Sequence, residues 1–421
     1  MDLIISIVSI LVVFFGLINL FRMSFFLIGS DIYRLRNHIQ RKKKSNYQPV
    51  VSVVIPAYNE EKSIVASIIS VLSSDYPKNK LEVIVVNDGS IDETENVLKK
   101  FLSRNNYSNV RLVTQNNGGK AHALNNGIKN YAKGELVMCL DADSILTKDT
   151  IRNAVRYFEQ KNVVALASNV KIKKAKGILN LIQAFEYAIN YQMKRAQTLF
   201  NIEYIIGGIG SMFRRSNLQS IDFYDINTVT EDIDVTMKIL RNGNKKYRVV
   251  YAADAVTYTQ SALTLGDLIK QRHRWKWGRY QTFLKNRSMF FSGDKKYTKG
   301  LSWFYLPFAV YSDLAFFFEP LLVTYIWFVV IYYHDIKSVL TMIAVVTFYM
   351  GVNILAEETF SIREKIKLLL LSPLMYFLFY ILSMVEYIAL LKSWLNIRKL
   401  RESLLYNKNS WQPIKRSGLD S

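Results

Sequence analysis

The sequence predicts a soluble α/β domain with a mostly parallel central sheet, joined to an α-helical membrane region. Hydrophobic residues make up 50% of the 421 residues and stand beside 55 basic and 34 acidic residues. A chain of this length must segregate such residues into different regions. Short strands rich in β-branched residues alternate with helical stretches between positions 50 and 263, and apolar runs of membrane length lie on both sides of them.

The first 28 residues are predicted to be a membrane anchor. Residues 3–26 are almost uninterrupted apolar and are long enough to cross the hydrocarbon core. A cleaved signal peptide is disfavoured, because no basic region precedes this stretch and no small-residue cleavage site follows it. Residues 29–49 form a basic linker, so the positive-inside rule predicts an external amino terminus and a cytoplasmic domain after it. The basic residues are Arg34, Arg36, Arg41, Lys42, Lys43 and Lys44.

Residues 50–263 carry the alternation of strands and helices. The clearest strands cover residues 51–55 and 81–86, with a crossover helix over 61–72 between them. Two further strands are predicted over 136–140 and 163–167. Strands that are apolar at nearly every position are buried on both faces, as in parallel sheets.

The chain becomes membrane-like again after residue 263. Residues 264–302 form an amphipathic interfacial segment with a helix over 265–284, and residues 303–391 contain four apolar runs, at 303–318, 320–333, 339–356 and 368–391. The tail 392–421 is rich in basic residues and is predicted to be cytoplasmic, so an even number of crossings must follow residue 303. Four crossings satisfy this parity, and so do two crossings with two interfacial helices.

The formal charge of +21 does not by itself indicate nucleic-acid binding. No zinc-finger, basic-zipper or other DNA-reading pattern accompanies it, whereas an anionic membrane face and phosphorylated substrates account for it. The lone Cys139 cannot form an internal disulfide and lies in an apolar strand-like run, which predicts a small buried residue. Four scattered histidines and one cysteine do not supply a structural zinc site.

Polar loops follow three of the predicted strands directly. They are Ala57-Tyr58-Asn59-Glu60, Asn87-Asp88-Gly89-Ser90 and Asp141-Ala142-Asp143. In open α/β sheets, ligands bind at the carboxyl edge, where such loops converge. The two aspartates of the third loop can hold Mg²⁺ or Mn²⁺ and leave positions open for substrate phosphates. The alternative is a solvated turn, and the apolar strand before the pair together with the other two loops favours the metal–diphosphate site.

The remaining strand-end residues suit a nucleotide. Asp88 is either a turn former or a contact to base or ribose, and its place after an apolar strand favours the contact. The aromatic face of Tyr58 could stack on a base, and the Glu60 carboxylate could accept a hydrogen bond from a base or ribose. Lys120 follows Gly118-Gly119 at the start of a predicted helix, where it either places a positive charge near a diphosphate or is an ordinary surface lysine.

Two later motifs complete the set. In Thr230-Glu231-Asp232, Thr230 is predicted to be the N-cap of a helix that stops at Gly243, and Asp232 lies in its first turn, where the helix dipole favours an ionised carboxylate. An ionised carboxylate suits a general base, although first turns often carry acidic residues with no catalytic role. Gln271-Arg272-His273-Arg274-Trp275 lies on the amphipathic helix, where tryptophan and arginine suit membrane anchoring, sugar packing and phosphate binding alike.

With these residues in order, the chain resembles the processive family-two glycosyltransferases, which include cellulose, hyaluronan, chitin and poly-N-acetylglucosamine synthases. The likeness covers nearly the whole chain. Its size, its amino-terminal anchor and the Gln-Arg-His-Arg-Trp motif look most like the bacterial poly-N-acetylglucosamine branch. The cellulose branch carries a carboxyl-terminal cyclic-dinucleotide-binding domain, and no comparable domain fits after residue 391.

The resemblance implies a GT-A fold, UDP-N-acetylglucosamine as donor, a divalent cation and inversion at the anomeric carbon. By position it implies that Tyr58, Glu60 and Asp88 hold the uridine, that Asp141 contacts the donor and that Asp143 binds the metal. Lys120, from its place at a helix start, is a further candidate for binding the donor. It implies that Asp232 is the base. It assigns Glu231, Gln271, Arg274 and Trp275 to the acceptor or the departing diphosphate.

The expected partners are the growing polysaccharide and the bilayer of a bacterial cell membrane, with no nucleic acid, and a small membrane accessory subunit is left open. The rivals are a hyaluronan-, chitin- or cellulose-like synthase, a transferase that adds one sugar to a lipid carrier, and a non-catalytic scaffold that binds nucleotide-sugar. A scaffold predicts loss of an acidic motif, and all of them are present.

Overall fold

A computed structural model describes residues 2–41, 46–105, 107–173 and 177–405. Two parts of the predicted basic regions lie outside these ranges. They are Lys42, Lys43 and Lys44 of the linker and the tail from position 406 onward. The described chain consists of one α/β unit and a set of apolar helices before and after it.

Eight strands form a single sheet. They are β1 (Val51–Ala57), β2 (Leu81–Asp88), β3 (Val110–Gln115), β4 (Leu136–Cys139), β5 (Ile145–Leu146), β6 (Val163–Ile172), β7 (Ser211–Arg214) and β8 (Arg248–Thr259). The order across the sheet is β3-β2-β1-β4-β7-β6-β8-β5. The pairs β1–β2, β1–β4, β2–β3 and β6–β8 are parallel, whereas β4–β7, β6–β7 and β5–β8 are antiparallel. The prediction of a mostly parallel α/β sheet is confirmed.

Each predicted strand is present; β1, β2 and β6 continue beyond their predicted carboxyl ends, and β4 ends one residue earlier than predicted. The two central strands β1 and β4 are buried at almost every position, as their continuous apolar sequence requires. Alternate residues of β1 enter two hydrophobic cores on opposite faces of the sheet, with Val53 and Ile55 in one core and Val54 in the other. Cys139 is buried in the core, as predicted.

Helices cover both faces of the sheet. They are α2 (Ile64–Leu72), α3 (Thr94–Arg104), α4 (Lys120–Asn126), α5 (Thr150–Tyr157), α6 (Ile178–Phe200), α7 (Arg215–Ser220), α8 (Glu231–Arg241) and α9 (Leu265–Lys285). A π-helical turn, Gly127–Tyr131, continues α4. The crossover helix α2 begins at Ile64, three residues later than predicted. The helices predicted after Gly119, after Thr230 and over 265–284 are all present.

The apolar helices are α1 (Asp2–Arg41) before the α/β unit and α10 (Leu306–Phe316), α11 (Glu319–Tyr332), α12 (Ile336–Ala356) and α13 (Ile362–Leu395) after it, followed by α14 (Leu400–Leu405). Helix α1 continues to Arg41, beyond the predicted end of the anchor at position 28. A π-helical segment, Gly300–Tyr305, leads into α10.

Three described helices are long and apolar enough to cross a membrane, at Ser6–Asn37, Ile336–Ala356 and Ile362–Leu395. A fourth crossing is formed only if the pair Gly300–Phe316 and Glu319–Tyr332, bent by 54°, counts as one span. Neither half of this pair reaches the ~20 residues that a crossing needs. Four separate crossings after residue 303 therefore do not fit the described helices, whereas two crossings with two shorter helices do.

Candidate active site

The three polar strand-end loops meet at one edge of the sheet. Strands β2, β1 and β4 are neighbours and run parallel, so their carboxyl ends lie side by side. Hydrogen bonds connect the first two loops, because the Asn59 amide donates to Ser90 Oγ at 3.0 Å and the Ile91 amide donates to Asn59 Oδ1 at 2.9 Å. Asn59 has φ of 56°, in the left-handed region that asparagine tolerates. Tyr58 and Glu60 lie on this pair of loops, half-buried.

Asp88 is buried and organises a neighbouring loop. Its Oδ1 accepts hydrogen bonds from Gln115 Nε2 at 2.8 Å and from the Gly118 amide at 2.9 Å, and its Oδ2 accepts one from the Gly119 amide at 2.8 Å. These bonds fix the turn that precedes α4, and Gly119 has φ of 89°, which favours glycine. The Asp88 carboxylate thus accepts hydrogen bonds from the protein itself, a role beyond the nucleotide contact that the sequence favoured.

Lys120, the first residue of α4, joins two of the predicted acidic motifs. Its Nζ lies 2.7 Å from Asp141 Oδ1 and 3.0 Å from Glu231 Oε1. Burial acts to lower the pKa of Lys120, but Asp141, Glu231 and Asp232 outweigh burial and raise it above its usual value. Lys120 is therefore a positive charge held between the strand-end loop and α8, and its contact to a diphosphate stays a prediction.

Asp232 is held in place by backbone amides. Its Oδ2 accepts a hydrogen bond from the Gly208 amide and its Oδ1 from the Ile233 amide, each at 2.9 Å. Burial, followed by the negative charge of Glu231, raises the pKa of Asp232 to about 6, while Lys120 and Arg274 act to lower it. A carboxylate with a pKa near neutrality can remove a proton from a hydroxyl and release it again.

Thr230 occupies the N-cap position of α8, as predicted, but its hydroxyl makes no capping hydrogen bond. Helix α9 approaches Thr230 closely at Gly278. A Cβ added at Gly278 would lie 2.7 Å from Thr230 Cβ and 2.5 Å from its Cγ2. The absence of a side chain at position 278 therefore lets α9 pack directly on the start of α8, beside Asp232.

Part of the motif on α9 is packed inside the protein. Gln271 and Arg272 are buried, with 8% and 4% of their surface exposed, and Arg274 and Trp275 are half-buried. The guanidinium of Arg272 lies 4.3 Å from the centroid of the Trp275 ring. Arg274 lies close enough to Asp232 and Tyr187 to shift their pKa values. The motif therefore lies on a packed helix that lines the site.

A buried ionic network behind α9 was missed by sequence reasoning. Arg272 donates to Glu186 at 2.6 Å and lies 3.4 Å from Glu386, and Lys276 lies 2.9 Å from Glu386 and 3.5 Å from Asp313. Arg279 also pairs with Asp313. The signal in the sequence was the presence of Asp313 and Glu386 inside apolar runs, because a carboxylate in such a run needs a cationic partner.

The Gly208 amide was missed as well. Residues 207–210 read Gly-Gly-Ile-Gly, and this glycine-rich run before β7 was the available signal. A Cβ at position 208 would lie 3.0 Å from Lys120 Nζ and 3.8 Å from Asp232 Cβ. A larger residue there would enter the space between these two side chains.

The residues present fit a divalent cation that is shared with a substrate. Asp143 is only 1% exposed, and Ser144 Oγ donates to its Oδ1 at 3.2 Å. In the described residues no three His, Cys, Asp or Glu side chains form a metal-binding group. Mg²⁺ and similar cations commonly take one or two protein carboxylates and complete their shell with water and substrate phosphates. The Asp141–Asp143 pair is such a donor set.

Comparisons with known proteins agree with this fold. A glycosyl transferase family 2 domain model matches residues 52–222. A poly-beta-1,6-N-acetyl-D-glucosamine synthase from Staphylococcus epidermidis is 34% identical over 292 residues, which cover 68% of this chain and 67% of that protein. The protein of that name from Staphylococcus aureus strain COL is 34% identical over 282 residues, which cover 65% of this chain and 66% of that protein. The alignments thus span about two thirds of each relative's length.

Among solved structures, the chain resembles the mannosyltransferase PcManGT from Pyrobaculum calidifontis, determined in complex with GDP-Man and Mn2+. The TM-score is 0.54 at 21% identity, and the match covers 91% of this chain and 96% of that chain. At this identity the likeness concerns the fold, which is GT-A. The matched domain, the identity to the staphylococcal relatives and the strand-end site agree, and the chain belongs to glycosyltransferase family 2.

Proposed function

We propose that this glycosyltransferase is a membrane polysaccharide synthase that transfers N-acetylglucosamine from UDP-N-acetylglucosamine to a growing poly-β-1,6-N-acetylglucosamine chain and helps to export it. The observation that carries the proposal is the half-buried Asp232, oriented by the Gly208 and Ile233 amides with its pKa raised to about 6, beside a lysine that pairs with Asp141. A general base next to a cationic, acidic strand-end site is what transfer from a nucleotide-sugar to a hydroxyl requires.

In this proposal Asp232 removes the proton of the acceptor hydroxyl. The hydroxyl oxygen forms a bond to the anomeric carbon as the bond from that carbon to the UDP oxygen breaks, and the electron pair leaves with UDP. One displacement inverts the anomeric carbon. Lys120, whose Nζ bridges Asp141 and Glu231, exchanges a carboxylate for the departing phosphate and stabilises its charge. Gln271, Arg274 and Trp275 position the acceptor sugar or the diphosphate.

Asp141 and Asp143 are the residues that would hold Mg²⁺ or Mn²⁺. The cation would supply positive charge to the donor diphosphate, which lowers the cost of its departure. Tyr58, Glu60 and Asp88 lie at the same sheet edge and are assigned to the uridine. Gln115, Gly118 and Gly119 already donate hydrogen bonds to the Asp88 carboxylate. A contact from Asp88 to the nucleotide uses the lone pairs that these donors leave available.

The names of the staphylococcal relatives support the donor and the linkage. The apolar helices support a multi-pass protein of the bacterial plasma membrane, with the α/β domain on the cytoplasmic side where UDP-sugars are made. A polymerase needs a route through the bilayer for a chain that stays bound, and several candidate spans next to the site could provide one.

The test supplies membranes containing the full chain with a panel of UDP-sugars, with and without a chelator, in the presence and absence of host membrane extract as a source of accessory subunits. We expect incorporation from UDP-N-acetylglucosamine alone, loss with the chelator and recovery with added Mg²⁺ or Mn²⁺. The product should be cleaved by a β-1,6-specific glycosidase and resist β-1,4-specific ones. Incorporation only from another UDP-sugar, or a product that the β-1,4 enzymes degrade, would reject the assignment.

A further inference from the structure

A cavity of about 340 Å³ lies where the α/β domain meets the start of α13. Residues of β6 and α6 form one side, and the other side comes from the turn between α12 and α13 and from the first two turns of α13. Its volume is within the range of small-molecule sites in proteins. None of the residues that the sequence assigns to the active site lines it, although Tyr187, which lies near Arg274, does.

A buried lysine of β6 faces this cavity without a hydrogen-bond partner. Lys171 is 7% exposed, and its Nζ makes no hydrogen bond to any described residue. Its nearest carboxylate oxygen, Glu357 Oε1, is 3.7 Å away, and the Nζ lies 3.9 Å from the centroid of the Phe360 ring. Burial lowers the pKa of Lys171 to about 8, although Glu357 and Glu364 act to raise it. Its positive charge is therefore poorly compensated.

The two carboxylates that line the cavity, Glu357 and Glu364, already accept hydrogen bonds from other groups of the protein. Glu357 accepts hydrogen bonds from Arg195 Nη2 at 3.2 Å, from Gln192 Nε2 at 3.0 Å and from the Thr359 amide at 3.1 Å. Glu364 accepts hydrogen bonds from the amide and the hydroxyl of Ser361, each at 2.8 Å.

Among the charged side chains of the cavity, the one whose buried donor lacks a hydrogen bond is Lys171. Besides Lys171, the lining contains Lys367, an exposed lysine on the first turns of α13. Two ammonium groups with few acceptors of their own favour an anionic ligand.

We propose that this cavity binds a phosphate group, with Lys171 as its buried anchor and Lys367 at its mouth. The lining also contains the apolar side chains of Leu181, Ala184 and Leu368. Further along α13, apolar side chains are exposed, among them Leu370 at 77%. Phosphate from two sources fits this arrangement, a phospholipid headgroup whose chains lie along the apolar helices and free phosphate from the cytoplasm. The site joins β6 to α13, so its ligand couples the α/β domain to a candidate membrane span.

The test measures ligand binding to the full chain purified in detergent. Phosphatidylglycerol and diacylglycerol are titrated separately and bound lipid is counted by native mass spectrometry, while inorganic phosphate is titrated by calorimetry. The variants are Lys171→Met and Lys367→Met, and Lys100→Met, an exposed lysine on α3, is the matched control. Melting curves show whether each variant is folded.

We expect Lys171→Met to weaken binding of a phosphate probe by at least about tenfold and Lys367→Met to weaken it less. The control Lys100→Met should bind the phosphate probe like the unmodified protein. Binding of diacylglycerol, which has no phosphate, should not depend on Lys171. Lysine-dependent binding of phosphatidylglycerol alone identifies a lipid headgroup, and equal affinity for inorganic phosphate identifies the free anion. Binding of both probes that is unchanged in folded Lys171→Met would overturn the proposal, as would lysine-dependent binding of N-acetylglucosamine oligomers with neither phosphate probe bound. If Lys171→Met does not fold, unchanged binding by Lys367→Met overturns it.

Discussion

At the residue scale, the site depends on how Asp232 is charged and held. Two backbone amides fix its carboxylate while burial and Glu231 resist its ionisation. The hydrogen bonds orient the group and the raised pKa makes it a better proton acceptor than an ordinary aspartate. This combination separates Asp232 from an acidic residue that merely stabilises the first turn of a helix.

Replacing Asp232 tests whether it acts as the base or only stabilises the first turn of α8. Asp232→Asn keeps the shape of the side chain but cannot take up a proton, so we expect transfer to fall by about 10²–10⁴-fold while UDP binding is retained. Initial rates with UDP-N-acetylglucosamine and UDP binding by calorimetry would be compared. Asp222→Asn is the control, because Asp222 is exposed and its φ of 54° suits asparagine. Transfer at the wild-type rate by Asp232→Asn would remove Asp232 as the base.

The pH profile tests the cause of the raised pKa. The base acts when ionised, so kcat/KM should fall as the pH drops through about 6. Glu231→Gln removes a negative charge that raises the pKa of Asp232, so the acid limb should move to lower pH. Lys120→Met removes a positive charge that lowers it, so the limb should move to higher pH. Movement of both variants in one direction would contradict this electrostatic account.

At the scale of elements, the contact between α8 and α9 places the acceptor motif beside the base. Gly278 allows the approach, and Gln281 Oε1 accepts a hydrogen bond from the Val229 amide at 3.2 Å just before α8 begins. Both contacts lie one to two turns after Gln271-Arg272-His273-Arg274-Trp275. The start of α8 and the motif are thus fixed relative to each other.

A methyl group at this contact should separate the helices. Gly278→Ala places a Cβ within 2.7 Å of Thr230 Cβ, and we expect a loss of about 1–3 kcal/mol in the free energy of unfolding together with reduced transfer. Thermal melting and initial rates would measure both effects. Gly266→Ala, also on α9, is the control, because its nearest neighbour is Thr264 Oγ1 at 3.8 Å.

Thr230→Ala removes the hydroxyl and methyl groups that the new Cβ meets. Adding it to Gly278→Ala should recover part of the stability and of the rate. Equal losses in Gly266→Ala and Gly278→Ala, or no recovery in the double variant, would show that the contact is not responsible.

At the scale of the whole molecule, buried ion pairs connect the site helix to the apolar helices. Asp313 of α10 and Glu386 of α13 lie among Arg272, Lys276 and Arg279 of α9. Such pairs hold α9 in one position, since each charge would be left without compensation if α9 moved away.

Removing one acid from the network should loosen the junction. Asp313→Asn leaves Lys276 and Arg279 short of a counter-charge, and we expect a loss of about 3 kcal/mol in stability together with a lower transfer rate. Thermal melting in detergent and polymer length would be measured, with shorter products expected. Asp294→Asn, in an exposed loop, is the control. Unchanged melting and unchanged product length would exclude a positioning role for Asp313.

The sequence by itself determined the strands β1, β2, β4 and β6, the loops after β1, β2 and β4, and the apolar helices. These features follow from local patterns, since β-branched runs, turn residues and apolar stretches act over a few neighbouring positions. The convergence of the loops after β1, β2 and β4 also followed, because parallel strands bring their carboxyl ends to one edge. Asp232 was predicted at the start of a helix for the same local reason.

Only the tertiary structure decided which partners each charged residue meets. Lys120 pairs with Asp141 and Glu231, which lie 21 and 111 positions further along the chain, and Arg272 pairs with acids of α6 and α13. The same packing buries Gln271 and Arg272 of α9, whose motif in the sequence suits membrane anchoring, sugar packing and phosphate binding alike. Burial and charge depend on side chains from distant segments. The raised pKa of Asp232, the close approach at Gly278 and the Lys171 cavity therefore became visible only once those segments were packed together.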